Sequence, residues 1–189
     1  MASPQPPLPS VPASTPIPKS YAKGIALTPD PWEVCAGLDY GADRSLAWSV
    51  HQQVVQTEPA GHARLEAQLL AALAAGNVTA AGRAFLCEML ALVGSAKSAA
   101  ALAPALRDPK TTDAARYALE AISGVEADAV LRDALGALTG DAKAGLIGSL
   151  AARGDRTALP ALTALRDNPA EPPVVRDAAA RAVEFLAAS

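Results

Sequence analysis

Few side chains in this 189-residue sequence have types that do chemistry: His51, His62, Cys35, Cys87, and the carboxylates Glu33, Asp39 and Asp43 around Cys35. The two histidines fall on different predicted helices. Neither has a second His, Cys or carboxylate at helical ligand spacing, so a zinc site lacks its donor set. Paired carboxylates do acid–base work only in an apolar pocket or at a fixed separation. Asp43, following Gly41-Ala42, fits more simply as an N-terminal helix residue favoured by the dipole. Cys87 lies in the apolar run Phe85-Leu86-Cys87-Glu88-Met89-Leu90, which predicts a buried, inert thiol. Gly145 and Gly148 within AGLIGSL share one predicted helix. They lack the strand–loop–helix context and the lysine of a phosphate cradle, and suit close helix packing instead. Asn77-Val78-Thr79 has the form of a glycosylation acceptor but reads as helix capping. No catalytic residue, cofactor or metal is expected.

The elements that would position any site are built from an unusual composition. Alanine fills about a quarter of the chain and aromatics 4%. So much Ala packs poorly around one large centre, but it forms helices well and lets backbones approach in thin layers. A net charge of −3 and a pI near 5.4 argue against a nucleic-acid-binding protein. Two cysteines cannot make a disulfide framework. The apolar run Leu65 to Ala75 is too short to span a membrane and carries Glu66 and Gln68. The first twenty residues have neither a charged n-region nor an apolar h-region, which predicts a cytoplasmic protein, or an exported one whose signal has been removed.

Three regions are expected. Residues 1–20 hold seven of the sixteen prolines and read as a Pro-rich disordered tail. Pro4 and Pro7 have the spacing of a ligand for an aromatic groove, although a linker is the simpler reading. Residues 21–40 form a transition segment with Tyr21, Trp32 and Tyr40 as packing anchors. A short helix there has Pro31 in its first turn and continues through Glu33 to Leu38. Residues 41–189 are helical throughout, with no alternating strand pattern and no hairpin turn. The fold class is therefore all-α, with roughly nine helices of about 12 to 16 residues after position 42.

A repeat organises those helices. Gly94, Gly124 and Gly154 are spaced thirty residues apart, each after an apolar run: FLCEMLALVG, RYALEAISG and LIGSLAARG. Each glycine is expected to end its helix with positive φ. A second helical segment follows each, and Leu102 and Leu162 share one offset from their glycines. Asp43–Thr57 and His62–Ala75 read as an earlier, degenerate pair. Val174–Ala188 reads as the first helix of a further unit. Pro160 stands near a helix start, whereas Pro104 should bend or weaken its helix. Two short helices per thirty residues mark an α-solenoid of about four helix pairs.

The segments Val175-Arg176-Asp177-Ala178-Ala179-Ala180-Arg181-Ala182-Val183 and Thr157-Ala158-Leu159-Pro160-Ala161-Leu162 resemble the two halves of a HEAT repeat. Over most of residues 40–189 the chain is similar to the Ala-rich HEAT-repeat proteins of planctomycete and verrucomicrobial bacteria. The second unit departs from the pattern, with Val130-Leu131 where the third has Pro160 and Leu162. The resemblance implies a non-enzymatic scaffold for a protein partner, with second helices lining a concave face. Lys97, Arg132, Arg156 and Arg166 would then contact that partner. Val175, Ala179, Ala182, Val183 and Leu186 form one stripe on the last helix, and Val174, Ala178 and Phe185 a second. Val183, Phe185 and Leu186 are thus candidates for docking a second copy or another subunit. HEAT-like folds also occur in bilin lyases and alkylpurine DNA glycosylases, so an enzyme or accessory subunit is the alternative.

Overall fold

The computed structural model describes residues 30–188. The Pro-rich tail and residues 21–29 of the transition segment, Tyr21 included, lie outside the described residues. Asp30 opens the described chain as a helix cap, its carboxylate accepting the Trp32 N–H at 2.9 Å. With Pro31 in the first turn, α1 (Pro31–Ala36) starts where Asp-Pro chemistry places it. It is followed by α2 (Ser45–Gln56), α3 (Pro59–Leu73), α4 (Ala80–Val93), α5 (Ala96–Leu106), α6 (Thr112–Ala121) and α7 (Val125–Ala134). After these come α8 (Gly140–Ala152), a 3₁₀ turn (Arg156–Ala158), α9 (Leu159–Asp167) and α10 (Pro173–Ala188). Every regular element among the described residues is a helix. The helices after position 42 number nine, as expected, but α5, α6, α7 and α9 have only 9 to 11 residues.

Alternate helices lie side by side. α4 packs against α6, α6 against α8, and α8 against α10, while α5 packs against α7. α9 packs chiefly on α10 and the 3₁₀ turn. At the other end, α1 packs against α2, α3 and α4. The shared core is a thin band in which Leu86, Leu90, Leu119, Leu146 and Leu150 are fully buried beside Ala99, Ala115, Ala127 and Ala179. Small alanines buried among these leucines let short helices approach closely.

One expectation about helix ends is corrected. Gly154 has the anticipated left-handed backbone, φ 70°, but Gly94 has φ −68° and needs no glycine freedom. A side chain at Gly94 would instead collide with the Leu90 carbonyl of its own helix and press on Ile122 beyond it. Pro104 sits inside α5 two residues before its end, which fits a helix weakened there. The carbonyls of Ala105 and Leu106 accept the hydroxyls of Thr111 and Thr112, both at 3.0 Å. The α5 terminus is thus satisfied from the start of α6.

The last helix buries Val175, Ala178, Ala179, Ala182 and Leu186 against α8 and α9. Its second track divides: Ala178 is buried, while Val174 and Phe185 are about half exposed among Asp177, Arg181 and Glu184.

At Gly82 the backbone of α4 comes close to the end of α1. A Cβ there would collide with the carbonyl group of Ala36 at the end of α1. Gly148, expected to permit close packing, has open space around its Cβ position. Gly82→Ala should therefore cost about 2–3 kcal/mol, since backbone rather than a flexible side chain must move. Gly148→Ala should be neutral or stabilising by up to about 1 kcal/mol, because it removes a glycine from a helix interior. Urea unfolding midpoints of the two variants check this contrast.

Candidate functional site

The buried polar side chains of this fold are spent on helix ends, and most reach across about thirty residues. Glu66 of α3 is 5% exposed and lies at the N-terminus of α5. Its carboxylate accepts the Ser95 N–H at 2.8 Å, the Ser98 hydroxyl at 2.7 Å and the Ser95 hydroxyl. Burial pushes the acid up, but the Ser98 and Ser95 hydrogen bonds and the Lys97 charge outweigh it and hold the carboxyl below its ordinary range.

Arg153, the residue that ends α8, caps α6 from the adjacent layer. One guanidinium nitrogen donates to the carbonyls of Leu119, Glu120 and Ile122 at 2.8, 2.9 and 2.6 Å. A second donates to Gly124 O at 3.0 Å, and Nε is paired with Asp128. A cation at a helix C-terminus is favoured by the dipole, and here it also satisfies the last orphan carbonyls.

Three further ties join the layers. Arg116 donates to the Ser149 hydroxyl at 2.9 Å, and that hydroxyl donates to Glu120 at 2.6 Å. The Arg116 guanidinium fits because Gly145 faces it; a Cβ there would stand 3.2 Å from its Nε. Lys143 pairs with Glu171 at 2.7 Å, both largely buried. Arg132 of α7 pairs with Asp155, which also accepts the Thr157 N–H at 3.1 Å.

The thiols are not reactive. Cys35 and Cys87 are both fully buried. Burial pushes Cys35 up to about 11, with the Asp30 charge adding to it. Burial pushes Cys87 up to about 12, opposed by Arg83 and reinforced by Glu88. Glu33, Asp39 and Asp43 are exposed. The Asp43 carboxyl is held low by the Ser45 N–H and hydroxyl at the start of α2. Thr79 caps α4, accepting the Gly82 N–H at 2.9 Å. Among the described residues no group of three His, Cys, Asp or Glu side chains is arranged to hold a metal ion.

The candidate partner-binding residues separate by exposure. Lys97 stands exposed at the start of α5, and Arg156 is exposed in the 3₁₀ turn. Arg166 is exposed but bonded to its neighbour Asp167 at 2.7 and 2.9 Å. Arg132 is committed to Asp155, and Leu186 is fully buried. Val183 is half-buried against the core. Phe185 flanks a shallow depression of about 240 Å³ between α8 and α10, lined also by Ala144, Gly148, Ala151 and Arg181. Glu66, Arg116, Ser149, Arg153 and Asp155, which carry the inter-layer ties, were not singled out by their sequence context as ties. Their one sequence signal is a polar residue set in an apolar run with a partner about thirty positions away.

Compared with known protein families, with curated proteins and with solved structures, the chain matches none.

Glu66→Gln keeps the shape but presents an N–H₂ or a weaker acceptor to donors that need a carboxylate. At pH 7 it should cost about 1–3 kcal/mol. Glu66 has a folded-state pKa below its unfolded value, so its contribution is complete above the ordinary carboxylate range and fades as pH falls through the lowered value. The gap between native and Glu66→Gln proteins should therefore close in acid, which urea unfolding from pH 7 down to pH 3 would reveal. Arg153→Met should cost about 3 kcal/mol with no such recovery, because the α6 carbonyls stay unpaired at every pH.

Proposed function

We propose that the chain is a HEAT-type α-solenoid that works as a non-enzymatic scaffold for a protein partner. The observation that carries this reading is the packing of alternate helices, α4 on α6 on α8 on α10 and α5 on α7, cross-tied by residues 28 to 34 positions apart. Nearest-neighbour stacking of that kind builds an elongated surface rather than an enclosed pocket, and an elongated surface suits macromolecular binding.

The partner face in this reading is the one that carries the second helices. Of the four candidate cations, Arg132 and Arg166 already have carboxylate partners, which leaves Lys97 and Arg156 to meet a ligand. An acidic protein segment is the complementary ligand. The overall charge of −3 argues against a nucleic-acid partner. Native affinity purification with the full chain, compared with the Lys97→Glu/Arg156→Glu double variant, tests the proposal. A stoichiometric partner retained by the native chain should bind roughly tenfold more weakly to the variant, with unchanged unfolding midpoint. Recovery of no partner at native concentration, or equal retention by both chains, would overturn it.

A further inference from the structure

Every residue of α8 from Ala144 to Ala152 that is not buried is an alanine or a glycine. On one side Ala144, Gly148 and Ala151 meet Arg181 and Phe185 of α10 around a depression of about 240 Å³. On the other side Gly145 faces Arg116 of α6, and the Tyr117 ring stacks on that guanidinium at 4.0 Å. Tyr117 is 60% exposed and Phe185 56%. A trough therefore runs along α8 with an aromatic ring on each flank, and Gly148 within it has open space where a Cβ would stand.

The shape and charge of the trough select its occupant. Packed helix axes lie about 10 Å apart, so α6 and α10 stand roughly 20 Å apart across α8. An α-helix with its side chains is about 10–12 Å wide and fits between them. The depression is smaller than the roughly 300–1,000 Å³ of small-molecule sites, and takes one bulky side chain instead. Among the described residues of α6, α8 and α10 the exposed charged side chains are Asp113, Asp141, Asp177 and Glu184, against Arg181 alone. Arg116 is largely buried and held by Asp113 and Glu120. Carboxylates thus dominate the rim, which repels an acidic ligand and complements a basic one. Lys97 and Arg156 lie elsewhere, on α5 and in the 3₁₀ turn, and suit a ligand of the opposite charge.

We propose that this trough docks a basic amphipathic helix of a partner protein. A large apolar side chain of that helix enters the depression beside Gly148, and its lysines or arginines meet Asp113, Asp141 and Asp177. The probe is a helical peptide with leucines at i, i+3, i+4 and i+7 and lysines elsewhere, titrated into the full isotope-labelled chain. A Leu/Glu peptide of the same pattern is its counterpart. The Leu/Lys peptide should bind saturably, move the Gly145 and Gly148 amide resonances, and bind roughly tenfold more tightly than the Leu/Glu peptide. Gly148→Leu fills the trough and should weaken binding roughly tenfold without lowering the unfolding midpoint. Asp141→Lys with Asp177→Lys changes two exposed positions and should remove the preference for the Leu/Lys peptide, which keeps the test decisive if Gly148→Leu misfolds. No binding of the Leu/Lys peptide, equal binding of the two peptides by the native chain, or native-like binding by either variant would overturn the proposal. So would the same resonance shifts on concentrating the chain without peptide, which would make a second copy the occupant.

Discussion

A ten-residue helix leaves four N–H groups at one end and four carbonyls at the other without intrahelical partners. In α6 and α7, which have ten residues each, those groups are about two-fifths of the backbone donors and acceptors. Water satisfies them in an isolated helix, but packing into layers removes the water. The fold therefore depends on neighbouring layers to provide the missing partners. Arg153 does so for the α6 carbonyls, Glu66 for the start of α5, and Thr111 and Thr112 for the end of α5. Each tie fixes the separation and the register of two layers at once, which apolar contact between alanines alone would leave loose.

The alanine-rich core sets the other half of the geometry. Leucines such as Leu119 and Leu146 fill the band between helices, and alanines such as Ala115 and Ala127 allow the backbones to close over them. Close approach is costly for any larger side chain at the contact. Gly82 marks the limit, where α4 meets the Ala36 carbonyl directly. Thr79 stands three residues earlier and binds the same corner, its N–H donating to Ala36 O at 3.0 Å and its hydroxyl to Leu38 O. The α1 corner is thereby locked to the first long layer through backbone atoms rather than through side-chain volume.

Much of this was legible in the residues because it follows from local rules. Asp30-Pro31 begins a helix, Thr79 caps one, and an apolar flank buries Cys87, whatever the tertiary arrangement. The thirty-residue spacing of Gly94, Gly124 and Gly154 likewise reflects a chain that turns at regular intervals. What those glycines do there was not legible. Gly154 supplies a left-handed turn, whereas Gly94 leaves room for Ile122 of another layer, and one residue type answers both needs. The same ambiguity hid the ties. Arg153 and Arg166 both follow apolar helical runs, yet one is buried across four carbonyls and the other lies exposed against Asp167. Only the relative placement of layers separates them, and that placement is set by distant residues.

The two ends of the stack meet solvent differently, and the difference follows from what each end must bury. At α10, Asp177, Arg181 and Glu184 interrupt the outward face between Val174 and Phe185. Water can solvate that end while the buried stripe holds it to α8 and α9. At α2 the outward face has Trp48 and Val55 with no charged residue on the helix. Polar groups on one terminal layer solvate it, but an uncharged aromatic face gains free energy by being covered.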